Sequence, residues 1–172
     1  MFTKITRIQP LDFLSVAEAK DHLNITDYND DDNYIRTLVD AAMELVEQGT
    51  NRLLSISTVT VEIAYRSNKF LLPYGEIETI TSCQVDGVDL DFKFSDISQQ
   101  ITLTGLPTTD DDVRIVYGAG YKKVPKTLKA AAMMIVSNFY EYREDAIDLS
   151  LQNAPLASKT LMNAYRLPVG AL

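Results

Sequence analysis

The 172-residue chain has one cysteine, Cys83, and one histidine, His22. A lone cysteine excludes an intramolecular disulfide and suits a reducing compartment. One histidine with one cysteine excludes a histidine–cysteine zinc cluster within a single chain. No run of about 18 apolar residues occurs, so no membrane-spanning helix is expected. Residues 1–10 lack the continuous apolar core of a secretory signal, and the chain is expected to be soluble and intracellular at synthesis. Internal repeats and low-complexity tracts are missing. So are a phosphate loop, a serine elbow and a metalloprotease motif. Gly118-Ala119-Gly120 lacks the third glycine and the following acid of a dinucleotide fingerprint, and reads as a turn from strand to helix.

The residues that could carry chemistry have plainer explanations. His22 as a general base would need an adjacent nucleophile and an orienting acid. Asp21 precedes it, but adjacent helix residues do not face each other. Asp27, Asn29 and Asp31 match the first three ligand positions of an EF-hand loop. Asp32 then stands where glycine is required, and Leu38 where a bidentate glutamate is required. Helix capping explains the acidic run better. No catalytic residue, metal or cofactor is expected, and the chain is not expected to be an enzyme.

Charge is abundant but uneven. The net charge is −8, which disfavours tight general binding to a phosphate backbone. Residues 1–55 hold 5 basic and 10 acidic side chains, residues 56–120 hold 4 and 10, and residues 121–172 hold 7 and 4. The last block is therefore positive. Complementary self-association or a docked partner could use such a dipole.

Three blocks follow from periodicity: helical, β, helical. Ser15-Val16-Ala17-Glu18 fits a capping box opening a short helix that ends near Asn24. The acidic segment before the second helix suits a carboxylate cap and the macrodipole. Ile35, Leu38, Val39, Ala42, Leu45 and Val46 then define a buried helical stripe, with Gly49 in the C′ position. From residue 55 the period becomes two. Val59, Val61, Ile63 and Tyr65 alternate with polar or small residues, and Asp86-Gly87 marks a tight hairpin. Ile101 with Leu103, and Val113, Ile115 and Tyr117, mark later strands. Pro125 opens a third helix with the stripe Leu128, Ala132, Ile135, Phe139 and Tyr142, ending around Glu144–Asp148. The second and third long helices should pack together through Leu38, Val39, Ala42, Ile135 and Phe139. The tail beyond reads as mostly irregular.

Several phrases in this order resemble the head–tail connector (adaptor, or head-completion) proteins of long-tailed bacteriophages and prophages. The opening phrase is Phe13-Leu14-Ser15-Val16-Ala17-Glu18-Ala19-Lys20-Asp21-His22-Leu23. The acidic Asp30–Asp32 follows, then a helix ending in Glu47 and the phrase Asn51-Arg52-Leu53-Leu54. The β segment closes with Ile115-Val116-Tyr117-Gly118-Ala119-Gly120-Tyr121 before Val124-Pro125. The third helix runs to Phe139-Tyr140-Glu141-Tyr142-Arg143, and Leu161 and Tyr165-Arg166 come late. The resemblance covers most of the chain, from about Phe13 to Arg166. Two departures stand out. Asn24 replaces an arginine common in the family, and shorter connectors are nearly all helical and lack the β block.

The expected fold is α+β. Residues 1–54 and 121–150 form a helical connector core, residues 55–120 an inserted antiparallel β meander or small sandwich, and residues 151–172 a C-terminal docking tail. The resemblance implies a structural virion protein that forms a ring, a dodecamer, beneath the portal, with a stopper or tail-terminator protein below. DNA would pass through the lumen without sequence-specific binding. The expected location is the virion neck, and the host cytoplasm during assembly. The alternatives are another neck or tail-completion protein, or a small hydrolase or ligand-binding enzyme.

A ring needs two different complementary patches on each subunit. The candidates are the acids Asp27, Asp30, Asp31 and Asp32 and the lysines Lys122, Lys123, Lys126 and Lys129. The lysines sit around a helix start, where the macrodipole disfavours cations. The candidate portal-docking residues are Leu161, Met162, Tyr165, Arg166, Leu167 and Leu172, in a tail that is apolar, basic and broken by proline.

Overall fold

The computed structural model describes residues 2–8, 13–27, 29–64, 67–104, 112–142 and 154–167. Along the chain these form β1 (Phe2–Arg7), α1 (Val16–Leu23), α2 (Asp32–Thr50), β2 (Ser57–Ala64), β3 (Lys69–Leu71), β4 (Ile77–Val85), β5 (Val88–Asp89), β6 (Phe92–Ser95), β7 (Gln100–Leu103), β8 (Asp112–Ala119), α3 (Lys126–Glu141) and α4 (Leu156–Asn163). The fold is α+β. The described residues of Leu11–Leu54 and Lys123–Leu167 form one compact unit, and those of Met1–Pro10 and Ser55–Lys122 form another.

The helical unit begins with the expected capping box. The Ser15 hydroxyl accepts the Glu18 N–H at 3.2 Å, and a Glu18 carboxylate oxygen accepts the Ser15 N–H at 3.0 Å. Asn24 ends α1 in the left-handed region at φ 58°, which asparagine tolerates better than most residues. All six stripe residues of α2 are buried. The helix does not stop at Gly49, which is buried in its last turn. It runs on to Thr50, whose hydroxyl donates to the Val46 carbonyl at 2.7 Å, and Asn51 takes the left-handed position at φ 54°. Asparagine outcompetes glycine here because its side-chain amide has a partner, the Leu167 carbonyl at 2.8 Å. Asp31 stands at the N-cap but makes no side-chain cap bond, since its carboxylate accepts from the Tyr140 hydroxyl at 2.8 Å.

Pro125 precedes α3 as expected, with φ −57°, near the value a helix needs. Leu128, Ala132, Ile135 and Phe139 are buried. Tyr142 leaves that stripe: it is the C-cap, 55 % exposed, and α3 ends at Glu141, earlier than expected. Residues 143–150 lie outside the described ones. α2 and α3 pack together, and the Tyr34 and Tyr140 rings stand 6.3 Å apart. Leu38, Val39 and Ala42 are buried on α2. The tail is not irregular throughout. Pro155, at φ −53°, opens α4 as Pro125 opens α3, and Ser158 and Met162 are buried where α4 packs on α3 and α2.

In the other unit two antiparallel sheets form, ordered β1-β2-β8-β4-β5 and β3-β7-β6. Both sheets are antiparallel, and since β8 lies between β2 and β4 the larger one is not a simple meander, the first of the two expected forms, a meander or a small sandwich. Val59, Val61 and Ile63 on β2 and Val113, Ile115, Tyr117 and Ala119 on β8 are buried, and their intervening neighbours are more exposed. Tyr65 lies outside the described residues. The Asp86-Gly87 hairpin is present: Val85 pairs with Val88, and both turn residues have positive φ, 49° and 78°, as a type I′ turn requires. Gly120 ends β8 at φ 122°, and a Cβ there would lie 2.2 Å from the Ser55 carbonyl oxygen, so only glycine fits. β1 was not expected. It pairs with β2 from Phe2↔Glu62 to Arg7↔Ser57, which places these residues in the β unit rather than with the helices.

Candidate functional site

The acidic run and the lysines are largely engaged within the chain. Lys20 is almost fully buried, and its ammonium donates to Asn29 Oδ1 at 2.6 Å and Asp32 Oδ1 at 2.8 Å. Burying a cation requires such partners, so the segment after α1 is a clasp for Lys20. Asp31 accepts from Tyr140 and thereby ties the start of α2 to α3. These engagements account for Asn29 and Asp31, two of the three residues that imitate a calcium loop. Asp27 and Asp30 are exposed.

Lys129 is engaged within the chain as well. Its ammonium donates to Glu18 Oε1 on α1. That bond, reinforced by the Ser15 N–H, holds the Glu18 carboxyl at about 2, well below the usual carboxylate range. The unfavourable lysine in the first turn of α3 is therefore offset by a carboxylate from another helix. Lys122, in the β unit, pairs with Glu78 at 2.6 Å, with both side chains exposed. Lys123 and Lys126 are exposed. Of the eight residues proposed for contacts between subunits, Asp27, Asp30, Lys123 and Lys126 thus remain on the surface without a bond described above.

The candidate docking residues also divide. Met162 is buried in the helical unit and is not available for docking. Tyr165 is half-buried, with its hydroxyl 3.4 Å from Thr127 Oγ1 and its carbonyl accepting from Arg52 Nε at 2.6 Å. Leu167 donates its N–H to the Thr50 carbonyl at 2.9 Å. Leu161 is half-buried and Arg166 exposed, while Leu172 lies outside the described residues. The Arg-x-Leu phrase after α2 and the late Tyr-Arg pair are therefore two halves of one clamp, in which Arg52 and Asn51 hold the backbone of 165–167. Sequence reasoning read Glu18 only as a cap and assigned no partner to Lys20 or Arg52. Their partners lie 9 to 113 residues away, beyond the reach of local spacing.

His22 is exposed in the last turn of α1. Cys83 is buried, and burial, with a smaller contribution from Asp89, pushes its thiol up to about 11, which keeps it protonated at neutral pH. Burial also raises the Tyr117 hydroxyl, which donates to the Pro73 carbonyl at 2.9 Å. Among the described residues no group of three or more His, Cys, Asp or Glu is arranged to hold a metal, and no helix is long and apolar enough to cross a membrane. The charged residues act as braces between elements, and what remains for partners is surface.

The sequence pattern of the head completion protein family matches residues 12–151. The chain belongs to that family. The match runs through both helical stretches and the β segment between them, so the β block lies within the family's own span. A head completion protein is a structural component of the virion. No curated protein matches the chain. Among solved structures, a chain from the neck of an empty gene transfer agent (GTA) particle, computed with C6 symmetry, is 22 % identical with a TM-score of 0.73, covering 99 % of this chain and 98 % of that one. A chain from the neck of the native GTA particle, computed with C12 symmetry, is 20 % identical with a TM-score of 0.71 over 99 % and 98 %. A chain from the virion of the native particle has 20 % identity and a TM-score of 0.69, with 97 % of each chain covered. The fold of this head completion protein is thus shared end to end with theirs.

Proposed function

We propose that the protein is the ring-forming connector between head and tail of a tailed, phage-like particle, seated beneath the portal. The observation that carries this reading is the family match over residues 12–151, joined to a fold shared over nearly the whole length with chains of particle necks. Those necks were computed with C6 and C12 symmetry, which supports a ring and favours twelve copies here. The work is mechanical: the ring completes the packaged head, keeps a channel for DNA and offers a lower face to a stopper or tail-terminator protein. It needs no catalysis. The braces between α1, α2 and α3 fit that role, because a subunit under the pressure of packaged DNA has to hold its shape.

Portal docking is assigned to the C-terminal segment from Arg166 onward. The clamp holds the backbone of residues 165–167 on the helical unit. Asp27 and Asp30 on one copy and Lys123 and Lys126 on the next are the charge pairs proposed between subunits, each contributing about 0–1 kcal/mol in solvent. The decisive experiment removes the chain from the particle. DNA-filled heads without tails are the expected product, and a reconstruction of the complete particle should place the chain as a ring under the portal. Complete, infectious particles formed without the chain would overturn the reading.

A further inference from the structure

The larger sheet of the β unit has two unlike edges. One is β1, a six-residue strand whose pairing with β2 runs without a bulge. From Phe2 to Ile8 it carries Lys4 and Arg7 and no acid, and Phe2 and Ile8 are each 63 % exposed. The other edge is β4 with its short extension β5, which pairs with β4 only at Gln84 and Val85. Over Ile77–Ser82 the described strand partner of β4 is β8, and the Ile77 N–H also donates to Gln99 Oε1 at 3.4 Å. Glu76, Glu78, Asp86 and Asp89 are exposed on this edge; Lys122 pairs with Glu78, and Gln84 Nε2 donates to Asp89 Oδ1 at 2.8 Å.

We propose that β1 is a joint between copies: its outer edge, which no described strand pairs, joins the acidic β4–β5 edge of the next subunit and carries the sheet around the ring. This rests on the ring reading above and names the contact that builds it. Three observations favour a second copy as the occupant. The first is sign, since a basic edge meets an acidic one. Two β1 strands pairing with each other would set Lys4 and Arg7 against their own kind, which excludes the two-fold alternative. The second is direction. β1, β2, β8 and β4 alternate antiparallel, so rotation about a ring axis brings the next β1 antiparallel to β4, as an extended ladder requires. The third is the surface itself. An unbulged strand with Phe2 and Ile8 in water is a template for pairing, and its lysine and arginine restrict it to an acidic partner. The bulges in β4, between Ile77 and Thr79 and between Ile80 and Ser82, bend that edge and limit the contact to a short ladder.

The backbone identifies a clean probe. Ile8 donates its N–H to the Ile56 carbonyl, so the even-numbered residues of β1 bond to β2 while Thr3, Ile5 and Arg7 present their N–H groups outward. Ile5→Pro removes one outward donor and leaves the ladder to β2 intact, whereas Ile5→Ala keeps the donor. Particle necks are treated with a carbodiimide that couples amines to carboxylates at zero length, and the linked peptides are identified by mass spectrometry. Within one chain β1 and β4 stand three strand spacings apart, about 14 Å, so a link from Lys4 to Glu76, Glu78 or Asp89 can only join two copies. The expected result is that link in assembled necks, with association roughly fivefold weaker for Ile5→Pro than for Ile5→Ala, the equivalent of one hydrogen bond per joint. Rings that form without the link, and that tolerate Ile5→Pro as well as Ile5→Ala, overturn the joint and leave the ring standing. Necks in which the chain forms no ring overturn the ring reading itself. If Ile5→Pro fails to fold, the cross-link in wild-type necks decides alone.

Discussion

The two units use charge in opposite ways. In the helical unit charged residues of several of the family phrases are bonded across elements: Glu18 to Lys129, Lys20 to Asn29 and Asp32, Asp31 to Tyr140, and Arg52 to the backbone at Tyr165. In the β unit the described ion pairs, Arg114 with Glu62 and Lys122 with Glu78, are exposed. A family's recurring polar residues are easily taken for contact residues. Here Glu18, Lys20, Asp31 and Arg52 in the helical unit tie its elements to one another.

The sharpest tests strike what each unit depends on. In the helical unit the braces rest on an apolar layer centred on Ile35, Leu38, Ala42, Ile135 and Phe139. Phe139→Ala should cost about 3–5 kcal/mol in denaturant unfolding, a large share of a domain's stability. A loss below about 1 kcal/mol would mean that the charged ties, not the core, hold these helices. The corresponding weak point of the β unit is backbone. Gly120→Ala forces a Cβ against the Ser55 carbonyl at φ 122° and should cost about 1–3 kcal/mol from the backbone region alone, with the clash added. Replacing the exposed Ile97 by Ser should change stability by no more than about 0.5 kcal/mol.

Legibility in the sequence follows the same division. The helical stripes, the capping box at Ser15 and the hairpin at Asp86-Gly87 were readable because each is a local pattern fixed by burial on one face or by positive φ. β1 was not readable. Phe2, Ile5 and Ile8 recur every third residue, and with no face of the strand buried nothing enforces alternation. α4 was hidden behind Pro155, which reads equally well as a breaker and as a helix start, and only packing on α3 distinguishes the two. The acidic run was seen as a cluster, but its roles depend on Lys20 and Tyr140, and a sequence displays neither pairing. The expected contacts at Lys129 and Asp32 therefore became internal braces, and Met162 became core.

The smallest effect concerns pH. The Glu18 carboxyl lies at about 2 in the folded chain against an ordinary 4.5, chiefly because it accepts from Lys129 and also from the Ser15 N–H. A depressed carboxyl adds stability that is fully present above pH 4.5 and is lost as pH falls toward 2. Its side chain is 45 % exposed, so solvent screening limits the contribution to roughly 1 kcal/mol or less. Glu18→Gln keeps an acceptor for the capping box and removes the charge. The variant should be less stable than wild type at pH 7 by that small margin, and the two should converge by about pH 2, as unfolding curves at successive pH values would record. Glu62→Gln, which removes the exposed partner of Arg114 at 3.5 Å, should have less effect still. If Glu62→Gln proved the more damaging, the exposed Arg114–Glu62 pair, and not the Glu18–Lys129 bond, would be the stronger tie.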